Sequence, residues 1–198
     1  MKILNLYAGI GGNRKLWGND HKIIAVEINK DIANIYKDLF PNDEVIIDDA
    51  HQFLLENFKD FDFIWSSPPC PTHSKMRLLN NKIVYPDMSL YQEIILLQKF
   101  SKNNKWIIEN VIPYYNFLIR PSVILDRHAF WSNFSIPKKD FNLIKPKMYL
   151  HMSIKELEQY HNISLEKYKF KGDKKLLLRN CVHPLIGKYI FDIVINMK

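Results

Sequence analysis

Cysteine is scarce in this chain: Cys70 and Cys181 are the only two in 198 residues, and no C-x-x-C pair occurs. That excludes a disulfide framework and a thiolate zinc site, so no metal ligand set is expected and both thiols should be free. Long apolar runs are missing too. None approaches the roughly 18 residues that a spanning helix needs. The opening stretch Met1–Leu6 is too short, and too soon followed by glycine, to read as a signal peptide. The expectation is a cytoplasmic protein with no membrane partner. Glycine is also sparing, six residues in all, yet three of them fall together at Gly9, Gly11 and Gly12. No internal repeat, low-complexity tract or interdomain linker is visible, and the length suits one domain, residues 1–198, better than two.

Acidic residues number 21 against 28 basic ones, a net charge of +7. Such a balance suits a polyanionic partner such as nucleic acid. The joint abundance of Lys, Ile and Asn would also follow from the base composition of a gene, so charge alone does not decide the matter.

What the sequence does contain is an alternation of strands and helices. Residues 2–7 read as a buried strand, followed by the turn Gly9-Ile10-Gly11-Gly12 and a short helix. Residues 22–27 read as a second strand. Ile32, Ile35, Tyr36 and Leu39 recur at helical spacing over Lys30–Phe40, and Pro41 ends that helix. A third strand is expected near 44–47, a helix near 50–58, and a fourth strand over 61–66, stopped by Pro68 and Pro69. Pro71 to Asp87 reads as a long loop, then a helix near 88–102 and a fifth strand at 105–109. This order predicts an α/β fold: a mostly parallel sheet with helices on both faces. Beyond it, 122–134 suggest two strands around Asp126-Arg127, and 135–150 a connector. Ser153 and Glu156 form a capping box, and 184–196 are apolar enough for a packed helix.

In open α/β sheets, ligands bind outside the carboxyl ends of the strands. Here those ends carry Tyr7-Ala8-Gly9-Ile10-Gly11-Gly12, then Glu27, then Asp48-Asp49, then Ser67-Pro68-Pro69-Cys70, then Glu109-Asn110. Five successive ends bearing glycine, carboxylate or thiol are stronger evidence than any one. The glycine turn lets a ligand approach the backbone. Glu27 lies 18 positions after Gly9, near the roughly 20-residue offset at which an acid meets ribose hydroxyls. The turn lacks the third glycine of a dinucleotide fingerprint and the Lys-Ser/Thr of a P-loop, so a nucleoside without pyrophosphate fits better. The plain alternative is a glycine turn with a solvated Glu27.

The two prolines before Cys70 stiffen the backbone and would hold a thiol in one place. Cys70 then reads as a nucleophile, or as a buried structural cysteine. His73 and Lys75 are its sequence neighbours. Glu109 reads as a general acid, or as an acceptor that caps a helix near Pro113.

In this order, the residues resemble the cytosine-C5 DNA methyltransferases over nearly the whole chain. Leu4-Asn5-Leu6-Tyr7-Ala8-Gly9-Ile10-Gly11-Gly12 is similar to the family's first cofactor motif, with Tyr7 where Phe is usual. The resemblance implies the Rossmann-like methyltransferase fold and S-adenosylmethionine as cofactor. It assigns cofactor contacts to Tyr7, Ala8, Gly9, Gly11, Gly12, Glu27, Ile28, Asp49, Ala50, Pro69, Asn180 and Val182. Ser67-Pro68-Pro69-Cys70 matches the catalytic Pro-Cys motif, Glu109-Asn110-Val111 the Glu-Asn-Val motif, and Arg127 the arginine that contacts the target base. Ser74, Lys75, Arg77 and Asn110 are implied substrate contacts, the loop from Pro71 to Asp87 either closing over the substrate or remaining solvated. The implied reaction is covalent. Cys70 adds to C6 of a flipped cytosine, Glu109 bonds N3, and C5 takes the methyl group.

Three positions depart from the pattern. Pro71 stands where Gln usually follows the catalytic Cys, Arg127-His128-Ala129 lacks a second arginine, and Arg179 stands where the late motif has Gly. A larger departure is the interval 134–152, a short connector where a target-recognition domain normally lies. Direct base readout needs a shaped element in a groove. Low sequence specificity follows, or recognition borrowed from a separate specificity subunit or a homo-oligomer. Double-stranded DNA is the expected partner and restriction–modification a fitting setting. RNA or a free nucleotide is the alternative substrate, and a non-catalytic cofactor-binding subunit the alternative role.

Overall fold

The computed structural model describes residues 1–79, 84–144 and 146–197. Seven strands form one sheet: β1 (Lys2–Leu6), β2 (Lys22–Val26), β3 (Glu44–Ile46), β4 (Phe63–Ser66), β5 (Lys105–Val111), β6 (Val123–Leu125) and β7 (His128–Ser132). Their spatial order is β3-β2-β1-β4-β5-β7-β6. The first five run parallel, and β7 lies antiparallel to both β5 and β6. The helices are α1 (Lys30–Leu39), α2 (Ala50–Asn57), α3 (Ser89–Phe100), α4 (Pro146–His151), α5 (Ile154–His161), α6 (Lys174–Arg179) and α7 (Pro184–Ile195). This is the Rossmann-like, doubly wound architecture expected. Its strand order reverses between β1 and β4, where such sheets open a crevice.

Alternation along the strands builds two cores. Leu4, Leu6, Ile24, Val26, Ile64, Trp106 and Ile108 face α2 and α3, meeting Leu54, Leu90, Ile94 and Leu97. Ile3, Ile23, Phe63, Trp65, Ile107 and Phe130 face the other way and pack on Ile186, Ile190, Phe191 and Val194 of α7. Each strand buried on both faces reads as a near-continuous apolar run, as parallel sheets require.

Register carries the functional consequence. Leu6 pairs with both Val26 and Ser66, and Ser66 with Ile108. The next residue on each strand, Tyr7, Glu27, Ser67 and Glu109, therefore stands on one edge of the sheet. Asn29 caps α1 and Asp49 caps α2, their side chains accepting from backbone amides in the first turn.

Two expectations need correction. No helix follows the glycine turn: residues 12–16 form successive turns, with Trp17 N–H bonded to the Arg14 carbonyl. Here the side chains of Asn13 and Arg14 are buried and point inward, to Asn5 and to Asp43. Those tertiary bonds hold the backbone in place of a helical ladder. Likewise no helix follows Glu109, since β5 runs on to Val111. Residues 134–152 include α4, whose Tyr149 is buried, while Lys145 lies outside the described residues. Of the loop from Pro71 to Asp87, a single-turn 3-10 helix spans Lys75–Leu79, and residues 80–83 lie outside the description. Among the described residues no helix is long and apolar enough to cross a membrane.

Candidate active site

A cleft of about 320 Å³ opens at the strand ends, over the point where the strand order reverses. Tyr7, Ala8, Gly9, Gly12, Glu27, Ile28, Pro69, Cys70, Glu109, Asn110, Arg127, Asn180 and Val182 all line it. Gly11, Asp49, Ala50, Ser74, Lys75 and Arg77 are not among its lining residues.

Each side chain is held for a local reason. The turn after β1 has φ of 54° at Tyr7, 55° at Gly9 and 75° at Gly11. A Cβ at Gly12 would come within 2.6 Å of Cys181 Cβ and 2.7 Å of the Val182 carbonyl, so only glycine lets this turn close on the late segment. Gly11 is glycine for a different reason: a Cβ there would sit 2.3 Å from the Phe40 ring. Glu27 bridges two elements. Its Oε2 accepts from Gly9 N–H at 3.0 Å and its Oε1 from Asn29 N–H at 2.9 Å.

Cys70 is half-buried, and its carbonyl accepts from the amides of His73 and Ser74. Burial pushes its thiol up, and the nearby Glu109 charge adds to that. His73 does not activate it: its Nδ1 is 2.5 Å from the Tyr115 hydroxyl, which also takes the Tyr91 hydroxyl at 3.1 Å. His73 thus anchors the base of the loop. Arg77 donates to the Pro71 carbonyl, and Ser74 bridges to Pro113. Cys181 is buried, its thiol pushed up to about 12 by burial, and it packs as an apolar group.

Glu109 is 6% exposed and pairs with His128 Nδ1 at 2.5 Å. Asn110 turns away to donate to the Pro68 carbonyl at 2.9 Å, which ties β5 to the Pro-Pro segment. The β6–β7 turn, with φ of 52° at Asp126, delivers Arg127. Its Nη2 lies 2.9 Å from the Arg179 carbonyl and 3.2 Å from that of Cys181, and the guanidinium stacks 4.4 Å over the Tyr149 ring. Asp49 Oδ1 accepts from Gln52 N–H at 2.9 Å, as the cap of α2.

Sequence reading missed a polar hub beneath the cleft. Glu93 on α3 is fully buried and accepts from Tyr7 Oη at 2.7 Å and Ser66 Oγ at 2.6 Å, with His51 Nδ1 at 3.0 Å. It joins the ends of β1 and β4 to the start of α2. Burial and the Glu93 charge hold the Tyr7 hydroxyl far above its ordinary range, while Glu93 raises His51. The signal was there: Glu93 interrupts the apolar face made by Leu90, Ile94 and Leu97.

The donor set suits a nucleoside with little negative charge. The cleft offers the carboxyl groups of Glu27 and Glu109, and its two arginines are engaged elsewhere, Arg127 by carbonyls and Arg179 by the Leu150 carbonyl. A polyphosphate would find no unengaged cation among these lining residues. A sulfonium nucleoside fits.

Residues 1–114 match the family model for C-5 cytosine-specific DNA methylase. Two curated relatives are each named tRNA (cytosine(38)-C(5))-methyltransferase. The Mus musculus protein is 27% identical over 56% of this chain and 28% of its own length. The Spodoptera frugiperda protein is 32% identical over 60% of this chain and 38% of its own length. The chain thus spans well under half the length of either. A solved structure of Spodoptera frugiperda DNMT2 is 23% identical, with a TM-score of 0.46, over 73% of this chain and 54% of that one.

Proposed function

This chain belongs to the C-5 cytosine-specific DNA methylase family, whose cofactor is S-adenosylmethionine, and on that premise we propose that it methylates C5 of cytosine in DNA. The observation that carries the reading is the shared cleft. Cys70 from the end of β4 and Glu109 from β5 line the same space as the Gly9 turn and Glu27.

S-adenosylmethionine, when bound, supplies an electrophilic methyl group on a sulfonium. The Gly9 turn, Glu27, Ile28 and Val182, which line the cleft, would hold its nucleoside part. Cys70 gives its thiol proton to water and attacks C6 of the cytosine as the thiolate, breaking the C5–C6 π bond; C6 becomes accessible once the base leaves its stack. Addition moves electron density onto C5, and Glu109 stabilises the base at N3. The two groups are coupled. The Glu109 charge holds the Cys70 thiol up. After C5 takes the methyl group, its proton is lost to water and Cys70 departs. Arg127, through the carbonyls of Arg179 and Cys181, keeps the late segment against the glycine turn. The basic side chains of Lys75 and Arg77 are suited to the phosphate backbone.

A second reading has its own support. Both curated relatives are named for a tRNA cytosine, which supports tRNA as the acceptor in place of duplex DNA. Among the described residues of 134–152 the regular element is the six-residue helix α4, which favours low sequence specificity or a partner that supplies recognition. The test is transfer of labelled methyl to duplex DNA and to a tRNA transcript, with Cys70→Ala alongside. Label on DNA from wild type alone supports the first reading, and label on tRNA alone supports the second. Label from Cys70→Ala at the wild-type rate overturns the assignment of the nucleophile.

A further inference from the structure

Glu109 has a partner that the family resemblance did not supply. In the antiparallel pair β5–β7, Val111 faces His128 and Glu109 faces Phe130, so the imidazole at the start of β7 leans along the sheet to the carboxyl group. His128 Nδ1 stands 2.5 Å from Glu109 Oε1, with the two side chains only 4% and 7% exposed. The ring also packs against Phe130, centroids 6.2 Å apart. Among the described residues no hydrogen bond reaches Glu109 Oε2, although Glu109 and His128 both line the cleft with Cys70. Arg127 is no rival for this place, because its guanidinium is held by the carbonyls of Arg179 and Cys181.

A carboxyl group that must donate to N3 needs its proton on one particular oxygen. A donor on the other oxygen enforces that choice, since Oε1 then acts as acceptor and a proton taken up by the carboxyl group resides on Oε2. The reverse tautomer, with Nδ1 as acceptor, would draw the proton onto Oε1 and away from the base. We propose that His128 is a positioning residue that donates Nδ1–H to Glu109 Oε1 and so presents a protonated Oε2 to N3 of the target cytosine. The inference rests on the reading that Glu109 meets a base. As Cys70 Sγ bonds to C6, the Oε2–H bond breaks and N3–H forms. The carboxylate left behind keeps the Nδ1–H bond, and the proton returns to Oε2 when Cys70 leaves. The arrangement inverts the familiar hydrolase triad, in which a carboxylate orients an imidazole.

The experiment compares wild type, His128→Leu, His128→Asn and Glu109→Gln, each alone, and the His128→Leu/Glu109→Gln pair. Methyl transfer to whichever of duplex DNA or tRNA wild type methylates is followed, with S-adenosylmethionine affinity from calorimetry. His128→Leu is expected to lower kcat by about 10²-fold, the scale of a misdirected general acid, with cofactor affinity within about twofold. His128→Asn, whose amide N–H can replace Nδ1–H, should recover most of that loss. The pair should be no slower than Glu109→Gln alone. An unchanged kcat in His128→Leu, no recovery with Asn, or additive losses in the pair would each overturn the proposal. Nitrogen NMR of the wild-type histidines stands apart from activity and from the folding of any variant. A proton on His128 Nδ1 is expected, and a ring protonated at Nε2 alone overturns the inference. Failure of the underlying reading looks different: wild type methylates cytosine in neither polymer.

Discussion

Residues 1–114 bring Tyr7, Glu27, Ser67 and Glu109 to the cleft from strand ends, whereas beyond them, His128 of β7 apart, the lining residues arrive on a turn and on and after the short helix α6, where Arg127 bonds to carbonyls. In the first part, backbone register does the placing: Leu6, Val26, Ser66 and Ile108 are level, so Tyr7, Glu27, Ser67 and Glu109 are level as well. In the second part the link is Arg127, which gathers Arg179, Cys181 and Tyr149 from segments some fifty and twenty residues away in sequence. The first device is repeated along every strand pair. The second depends on one guanidinium. Changes at Glu109 should therefore cost chemistry with little loss of stability, and changes at Arg127 should cost stability.

The largest expected effect breaks that comparison on the chemical side. Glu109→Ala should lower kcat for methyl transfer by about 10²–10⁴-fold, with S-adenosylmethionine affinity nearly unchanged. A comparable fall in cofactor affinity would mean that Glu109 serves the other half of the cleft. Next comes Arg127→Leu, which leaves two carbonyls without their charged donor. A loss of roughly 2–3 kcal/mol is expected, read as a thermal midpoint lower by roughly 4–12 °C. A midpoint within a degree of wild type would show that the late segment is held by packing alone. Tyr7→Phe, which restores the residue usual at this motif, removes one of three partners of buried Glu93 and should cost about 1 kcal/mol in a chemical melt.

The smallest effect concerns pH. Glu93 raises His51 above its ordinary 6.5. A group raised in the folded state contributes stability that is fully present below its unfolded value and is lost as pH rises through its folded value. Wild type should therefore lose a small increment of stability as pH climbs from below 6.5 through that raised value. His51→Gln should lack that increment in parallel urea titrations, and an identical pH dependence in both would remove the Glu93–His51 bond from the account.

The same contrast explains what was legible. Strand ends are legible because alternation, proline stops and short apolar runs are local signals, and register then aligns them without further instruction. Gly12 was legible as a glycine but not for its reason, since its neighbour Cys181 is distant in sequence. The turns at 12–16 looked helical because the inward bonds of Asn13 and Arg14 go to Asn5 and Asp43, which local spacing does not encode. Helix α6 passed unnoticed: three successive leucines carry no period, and only Leu178 among them is fully buried. In the sequence His128 is only the residue that follows Arg127. Its meeting with Glu109 required the antiparallel register of β5 and β7, a feature of tertiary structure.

The proposed bond between Cys70 and a cytosine ring can be trapped. Duplex DNA and a tRNA transcript carrying 5-fluorocytosine are incubated with the protein and S-adenosylmethionine. Fluorine at C5 leaves no proton to lose, so an adduct formed at C6 persists. A complex that survives denaturation is expected with at least one of the two polymers, mapping by peptide mass to Cys70 and disappearing in Cys70→Ala. An adduct at Cys181, or none with either polymer from a protein that methylates unmodified cytosine, would contradict the proposal.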